Sequence, residues 1–398
     1  MQAPEHIPSK NTKRICIAVL LVISHLGVGL NIFSVSPILT EIINDLGINH
    51  GKAGLLLSLP PLVAALFGIP GGLIAVRLGQ FRGFAIGLAL MSTTTLSIIM
   101  PTFIPLLMLR LIYGIGAALV LTITGPILLQ WFRPKELLVL NACNAAMMTI
   151  GIGISVAGGA IIAKFLSWPT SLSTFGLIPL LVTLLWISMG RHNISQTLDR
   201  SLPRLPEIFH IIRRRTILLL LAADAGVMFQ YTALSGWLPA FYYETRNMSF
   251  EFSGLLASFL PLSGIVGVAL GGSLPLKFGA PRTYLIIAGA LVLVAGPATY
   301  IFQNSWLTYL ALLVVGAGSW FYLPTLMTET VKAARFIEKD VAIIWGALLT
   351  FTGIGMFVAP ILVGYIHDVF ETFILGFLIC SIASSLMLIA GLCMNKRS

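Results

Sequence analysis

The sequence predicts an all-α membrane protein with twelve transmembrane helices arranged as two similar six-helix halves. Three observations carry this reading: an apolar composition, twelve apolar runs long enough to cross a bilayer, and residue patterns that recur about 200 positions apart. Of the 398 residues, 57% are hydrophobic and only 10% are charged, against roughly a quarter charged in soluble proteins. Too few polar side chains exist to cover an aqueous surface.

A helix rises about 1.5 Å per residue, so about 20 apolar residues cross a hydrocarbon core about 30 Å thick. Such runs, bounded by charges or turn residues, fall at 15–38, 53–76, 83–100, 105–132, 137–163 and 168–190. After a polar stretch they resume at 216–242, 253–276, 283–302, 306–328, 341–366 and 372–394. The first run follows Lys10, Lys13 and Arg14, as the core of a secretory signal would. It exceeds the 7 to 15 residues of such a core and lacks a small-x-small cleavage site, so it is expected to remain as a span.

The formal charge of +10 raises the question of nucleic-acid binding, and the placement of the charges answers it. Lys10, Lys13 and Arg14, then Arg77 and Arg82, Arg133 and Lys135, six arginines from Arg191 to Arg215, Lys277 and Arg282, Lys332, Arg335 and Lys339, and Lys396 and Arg397 all fall on one side of the predicted membrane. The opposite side receives only Lys52, Lys164 and Arg246, and Arg110 lies within a span. This asymmetry is the positive-inside rule. It predicts a multi-pass protein of a cell inner membrane with both termini cytoplasmic, a lipid bilayer as partner and no nucleic acid. Cys16, Cys143, Cys380 and Cys393 sit in or at the edges of spans without metal-ligand spacing, and read as small packing residues with no metal expected.

The polar stretch 191–215, with Pro203, Pro206 and the run Arg213-Arg214-Arg215, divides the spans six and six. The expected organisation is a cytoplasmic tail at 1–14, a first half at 15–190, the linker at 191–215, a second half at 216–394 and a tail at 395–398. The linker reads as an ordinary loop closed by topogenic arginines, with a short interfacial helix around Ile208 to Ile212 as the alternative. Between spans two and three stands Gly72-Leu-Ile-Ala-Val-Arg77-Leu-Gly79-Gln-Phe-Arg82, and between spans eight and nine stands Gly272-Ser-Leu-Pro-Leu-Lys277-Phe-Gly279-Ala-Pro-Arg282. Gly116 pairs with Gly316 at the same offset of 200, and Gly151-Ile-Gly153 with Gly353-Ile-Gly355 at 202. Several matches in nearly one register imply duplication, and two halves of the same orientation imply a pseudo-twofold axis along the membrane normal with a cavity between them.

The loop after span two resembles the signature of the major facilitator superfamily, Gly-x-Leu-Ala-Asp-Arg-x-Gly-Arg-Lys. Gly72, Ala75, Arg77 and Gly79 fit it; Val76 stands at the position of the family's Asp, and Gln80 and Phe81 at its basic pair, with Arg82 one place later. In span four, Arg110-Leu-Ile-Tyr113-Gly114-Ile-Gly116-Ala117-Ala118 is similar to the family's fourth-helix pattern. The resemblance implies the major facilitator fold and transport of a small solute by a monomer. It also implies a conformational role for Gly72, Arg77, Gly79 and Arg82 and for Gly272, Lys277, Gly279 and Arg282. Without the acidic residue, the family's cytoplasmic lock is not expected here. Trp237-Leu-Pro239-Ala-Phe-Tyr242 and Gly29-Leu-Asn31 are similar to the cyanate and 2-nitroimidazole permease group. That group carries Arg-Pro shortly after the Asn, whereas Ile32-Phe33 stand here, which weakens cyanate as the substrate.

A titratable or charged side chain inside a span costs several kcal/mol unless it is paired or faces water, so each is a functional candidate. Arg110, with Tyr113 on the same face and Asn31 in span one, is expected to form an anion- or dipole-binding surface; the alternative is that Arg110 snorkels or braces backbone carbonyls. His25 and Asp224 lie at nearly matching places in spans one and seven, which suggests proton handling, since imidazole titrates near pH 6.5. A packing role for His25 and a helix-start role for Asp224 are the alternatives. Tyr231, Trp237, Trp320 and Tyr322 are expected to line the solute path. No Gly-x-x-x-x-Gly-Lys-Ser/Thr loop occurs, so protons or membrane potential rather than ATP are the expected driving force, with no cofactor. No nucleophile–base pair, paired carboxylates or metal cluster at helical spacing points to an enzyme. Uptake of a small anion or polar compound, export of toxic compounds, and a transporter-like solute sensor are the readings left.

Overall fold

A computed structural model describes residues 11–189, 210–278, 281–303, 306–335 and 337–394 of the chain. Among them are twelve helical segments long and apolar enough to span a membrane and no strand. The first six are Lys13–Leu46, His50–Phe67, Gln80–Ile98, Phe103–Trp131, Val139–Phe165 and Trp168–Ser188. Arg215–Glu244, Phe250–Pro275, Arg282–Ile301, Trp306–Ala333, Ile343–Phe370 and Phe373–Cys393 follow. These are spans 1 to 12. Their number and places follow the hydropathy of the sequence. Gly279, linker residues 191–209, residues 1–10 of the first tail and the tail 395–398 lie outside the described residues.

Span 1 departs from the expectation of one helix over 15–38. An α-helix Asn11–Ile32 gives way to a 3-10 turn, Ser36–Ile38, and then to a second helix, Leu39–Leu46. Pro37 has no N–H to give to an α-helical ladder. The turn is closed instead by bonds from Ser36 N to Phe33 O (2.9 Å) and from Ile38 N to Val35 O (3.2 Å). The break leaves carbonyls near residue 31 in need of donors. Beyond it, Gly47 ends the helix at φ 59°, and Asn49 caps the next by accepting from Lys52 N at 2.9 Å.

The duplication predicted from loop motifs appears in the packing of glycines, where missing side chains let helices approach closely. Gly27 of span 1 rests on Pro179 of span 6, and Gly226 of span 7 on Ala383 of span 12. Gly114 of span 4 meets Pro60 of span 2, and Gly316 of span 10 meets Leu260 of span 8. Gly116 meets Gly87 of span 3, and Gly318 meets Val292 of span 9. Gly151 touches Leu26 of span 1, and Gly355 touches Ala225 of span 7. The structural counterpart of Gly116 is therefore Gly318, two residues beyond the expected Gly316, because the second half is longer by that much after its loop motif. Arg110 accordingly matches buried Leu312.

The halves meet along spans 2 and 11, along spans 5 and 8, and where the break in span 1 lies against span 7. Gly54 faces Pro360, Gly364 faces His50, and Gly254 faces Val156. Polar bonds between the halves gather at one end, here termed the junction. Ser36 Oγ reaches the carbonyls of Ser235 (2.6 Å) and Gly236 (2.9 Å), Thr40 donates to Glu244 at 2.6 Å, and Lys164 pairs with Glu251. At the other, basic end the ion pairs among the described residues stay within a half: Arg14 with Glu136 at 2.7 Å, Arg214 with Asp340 at 3.6 Å and Lys332 with Glu329 at 2.8 Å. There Asn141, Ala142 and Cys143 are exposed in succession on span 5, more than one helix face turned to lipid would give.

Candidate functional site

Asp224 and Tyr231 are seven residues apart on span 7, two turns along one face, a rise of about 10 Å. Span 10 runs in the opposite direction and sets Tyr322 beside the first and Trp320 beside the second. Asp224, 2% exposed, accepts hydrogen bonds from Tyr322 Oη at 2.7 Å and from Thr352 Oγ1 of span 11. Both partners are hydroxyls, so the carboxylate has donors but no opposing charge from them. An anion held this way in a low-dielectric interior costs several kcal/mol, and a proton removes that cost. Since each hydroxyl can also accept, the constellation suits both protonation states.

Above this carboxylate lies an aromatic patch. Tyr231 meets Trp320 edge-on with centroids 5.8 Å apart and Phe33, at the span 1 break, at 6.4 Å. The Tyr231 hydroxyl lies next to Trp320 and Ser235, yet Tyr231 Oη, Trp320 Nε1 and Ser235 Oγ are all buried without a well-formed hydrogen bond. Buried polar atoms in proteins are normally bonded. An indole N–H only donates, so the patch is suited to receive an acceptor atom. Gly264 of span 8 makes room for it, since a Cβ there would come 2.7 Å from Trp320 Cδ1.

Trp237 is brought to neither group. It is fully buried, its Nε1 donates to Pro360 O at 2.9 Å, and it packs on Phe373 and His50. It braces spans 7 and 11.

The first-half candidates form a separate, closed network. Arg110 is 2% exposed. Its Nη1 donates to Asn31 O (2.5 Å), its Nη2 to Ile32 O (2.6 Å) and its Nε to Leu56 O (2.9 Å). The guanidinium thus occupies the carbonyls freed where span 1 breaks. Tyr113, with Arg110 over its ring at 5.4 Å, donates to Val28 O at 2.6 Å. Asn31 bonds Gly27 O, Phe175 O and Thr94, each at 3.0 Å. His25 Nδ1 lies 2.9 Å from Leu21 O of its own helix. Of the two arrangements open to the sequence for Arg110, the geometry is that of the carbonyl brace.

Of the loop residues, Gly79 alone joins the helix His50–Leu78 to Gln80–Ser92, at φ 82° and ψ 147°, a conformation only glycine adopts readily. Arg82 is exposed. Arg282 donates to Gly391 O and Leu392 O, both at 2.8 Å, at the end of span 12, where a cation suits the helix dipole. Gly72 and Gly272 lie inside their helices, and a Cβ on Gly272 would meet nothing within 4 Å. The side chains of Arg77 and Lys277 lie outside the description.

Two groups escaped the sequence reading. One is Thr352, an ordinary threonine in an apolar run. The other is a junction cluster of His50, Glu244, His367 and Asp368, with His50 Nε2 and Glu244 Oε2 3.2 Å apart and His50 Nδ1 and Asp368 Oδ1 also 3.2 Å apart. A cavity of about 400 Å³, lined by Tyr242, Arg246, Phe252, Thr308 and Tyr309 among others, opens near the same end. All its walls come from the second half, so it is no passage between halves.

Comparison with known proteins agrees with this architecture. The chain is 23% identical to the probable L-galactonate transporter of Escherichia coli over 84% of this chain and 79% of that one. It is 25% identical to the cyanate transport protein CynX of Escherichia coli over 75% and 77%. A bacterial homologue of the human lysosomal transporter Spinster, solved in an inward-facing and unoccupied conformation, superposes with a TM-score of 0.79 at 17% identity, covering 96% of each chain. The model of the Major Facilitator Superfamily matches residues 21–338, and this multi-pass chain of twelve spans in two six-helix bundles belongs to that superfamily of membrane transporters.

Proposed function

We propose that this protein moves a small organic anion across a cell inner membrane by alternating access, with Asp224 as the proton carrier. The observation that carries the reading is a buried carboxylate bonded to two hydroxyls from spans 10 and 11, two turns from an aromatic patch of unbonded donors. Trp320 Nε1, Tyr231 Oη and Ser235 Oγ are neutral donors able to receive carboxylate or cyanate-like acceptors, and a proton on Asp224 offsets the charge that such a solute brings. The printed functions of the two relatives, L-galactonate and cyanate transport, favour anions of this kind. By the positive-inside rule the basic end is cytoplasmic, which places the junction on the outer side. The two halves, 15–190 and 216–394 about the linker 191–215, rock about the midplane site. Both are in one chain, so a monomer suffices. Arg110, Asn31 and Tyr113 serve to hold the span 1 break in place.

A second reading is export of neutral aromatic compounds. It is favoured by the occupation of Arg110 by carbonyls, which leaves aromatic faces more prominent than charge in the patch. A thermal-shift screen of the purified protein separates the two, because a specific ligand stabilises what it binds. Sugar acids or cyanate raising the melting temperature, with the shift lost in Trp320→Phe, support the first. Stabilisation by nitroheterocycles or neutral aromatics alone replaces it with the second.

A further inference from the structure

The junction cluster has a donor set that the transport reading does not use. His50 opens span 2 in the first half; Glu244 closes span 7 and His367 lies near the end of span 11 in the second. The nitrogen and oxygen atoms these three offer all lie within 4.8 Å of one another. The imidazoles of His50 and His367 lie with centroids 3.9 Å apart, tilted by 37°, and His367 Nδ1 is buried without a partner. Asp368 stands behind His50, held by its backbone N–H at 2.9 Å and by that of Gly51 at 2.8 Å. The other oxygen of Glu244 is fixed by Thr40 at 2.6 Å.

We propose that His50, Glu244 and His367 are ligands of a divalent transition-metal ion of the zinc class that clamps the two halves together at the junction. Two imidazole nitrogens and one carboxylate oxygen match the preference of such ions, and three protein ligands leave one position for water. His50 has the outer partner that a ligating imidazole needs: with Nε2 on the metal, Nδ1–H donates to Asp368, which fixes the tautomer and ring orientation. Bonds of about 2.0–2.1 Å at tetrahedral angles put ligand atoms about 3.3 Å apart, so the set closes by rotations of side chains already in contact. The side chains of His50 and Glu244 are 16% and 21% exposed, enough for an ion in the adjoining water to reach them.

Because the ligands belong to different halves, the complete set exists only while the junction is closed. An ion that binds one state better shifts the population toward it. Zinc therefore holds this end shut and slows turnover. This consequence rests on the alternating-access reading; the ion site itself does not.

Isothermal titration of the tag-free full-length protein with zinc chloride tests the site. One saturable ion per chain is expected, weakened at least tenfold in His50→Ala and in His367→Ala, and weakened in Asp368→Asn through loss of the outer partner. Magnesium, which prefers an octahedron of oxygens, is expected not to compete. Should His50→Ala fail to fold, His367→Gln carries the test. Spin labels across the junction are expected to shift to the shorter distance with zinc. No saturable binding, or equal binding in the His50 and His367 variants, overturns the proposal. Zinc binding in a protein that transports nothing would leave the site standing and remove the transport reading instead.

Discussion

Tyr322 donates its hydroxyl to Asp224 at 2.7 Å, tying span 10 to span 7 at a carboxylate whose other oxygen takes the hydroxyl of Thr352. Three helices of the second half thus converge on one titratable group. Removing either donor leaves a buried carboxylate oxygen unpaired, at a cost of about 1–3 kcal/mol. Tyr322→Phe and Thr352→Val are each expected to lower the melting temperature modestly and to cut transport tenfold or more. Wild-type transport in both variants would detach the carboxylate from its role.

Arg110 is expected to behave as a brace. Arg110→Ala strands the carbonyls of Ile32 and Leu56 and leaves that of Asn31 only the Ser34 hydroxyl at 3.0 Å, and buried unpaired groups at about 1–3 kcal/mol each are expected to destabilise the fold severely. Arg110→Lys cannot reproduce the fork and is expected to recover only part of the loss. Size-exclusion profiles and thermal melts check this. A well-folded Arg110→Ala protein with only a raised KM would return the residue to the binding surface.

The glycines divide by what stands opposite them. Gly29→Ala places a Cβ on the carbonyl oxygen of Met148 where spans 1 and 5 cross, and a displacement of backbone against backbone is expected to cost about 1–3 kcal/mol or more. Gly272→Ala meets nothing within 4 Å and is expected to be neutral or to stabilise by up to about 1 kcal/mol through helix propensity. Gly79→Ala, at φ 82°, is expected to lose about 1–3 kcal/mol to strain. Melts of the three variants in one detergent give the order.

His25 is expected to be dispensable for coupling, because its Nδ1 is engaged by Leu21 of its own helix and no partner from the second half reaches it among the described bonds. His25→Gln should retain transport driven by a pH gradient within about twofold. Loss of coupling with folding intact would restore His25 to the proton path.

The twelve spans were legible because each must supply its own apolar run, and hydropathy reads that directly. The break at Phe33 to Val35 was not, since the apolar run continues past it to Ile38 and Leu39 and only Pro37 and its neighbouring serines mark it. The same break kept the two readings of Arg110 from being decided, since its acceptors are backbone carbonyls 54 to 79 positions away that no side-chain pattern announces. Asp224, Tyr231, Trp320 and Tyr322 could be chosen as isolated polar groups in apolar surroundings, but that they form two neighbouring groups on spans 7 and 10 depends on helix packing. His50, Glu244, His367 and Asp368 were invisible as a set because they are joined only when the two halves meet.

The most direct measurement is solute accumulation in proteoliposomes under an imposed pH gradient, using whichever compound the thermal-shift screen identifies. The wild-type protein is expected to accumulate it and to stop when an uncoupler collapses the gradient. Asp224→Asn is expected to equilibrate the solute across the membrane without concentrating it. Gradient-driven accumulation by Asp224→Asn at the wild-type level would contradict the account.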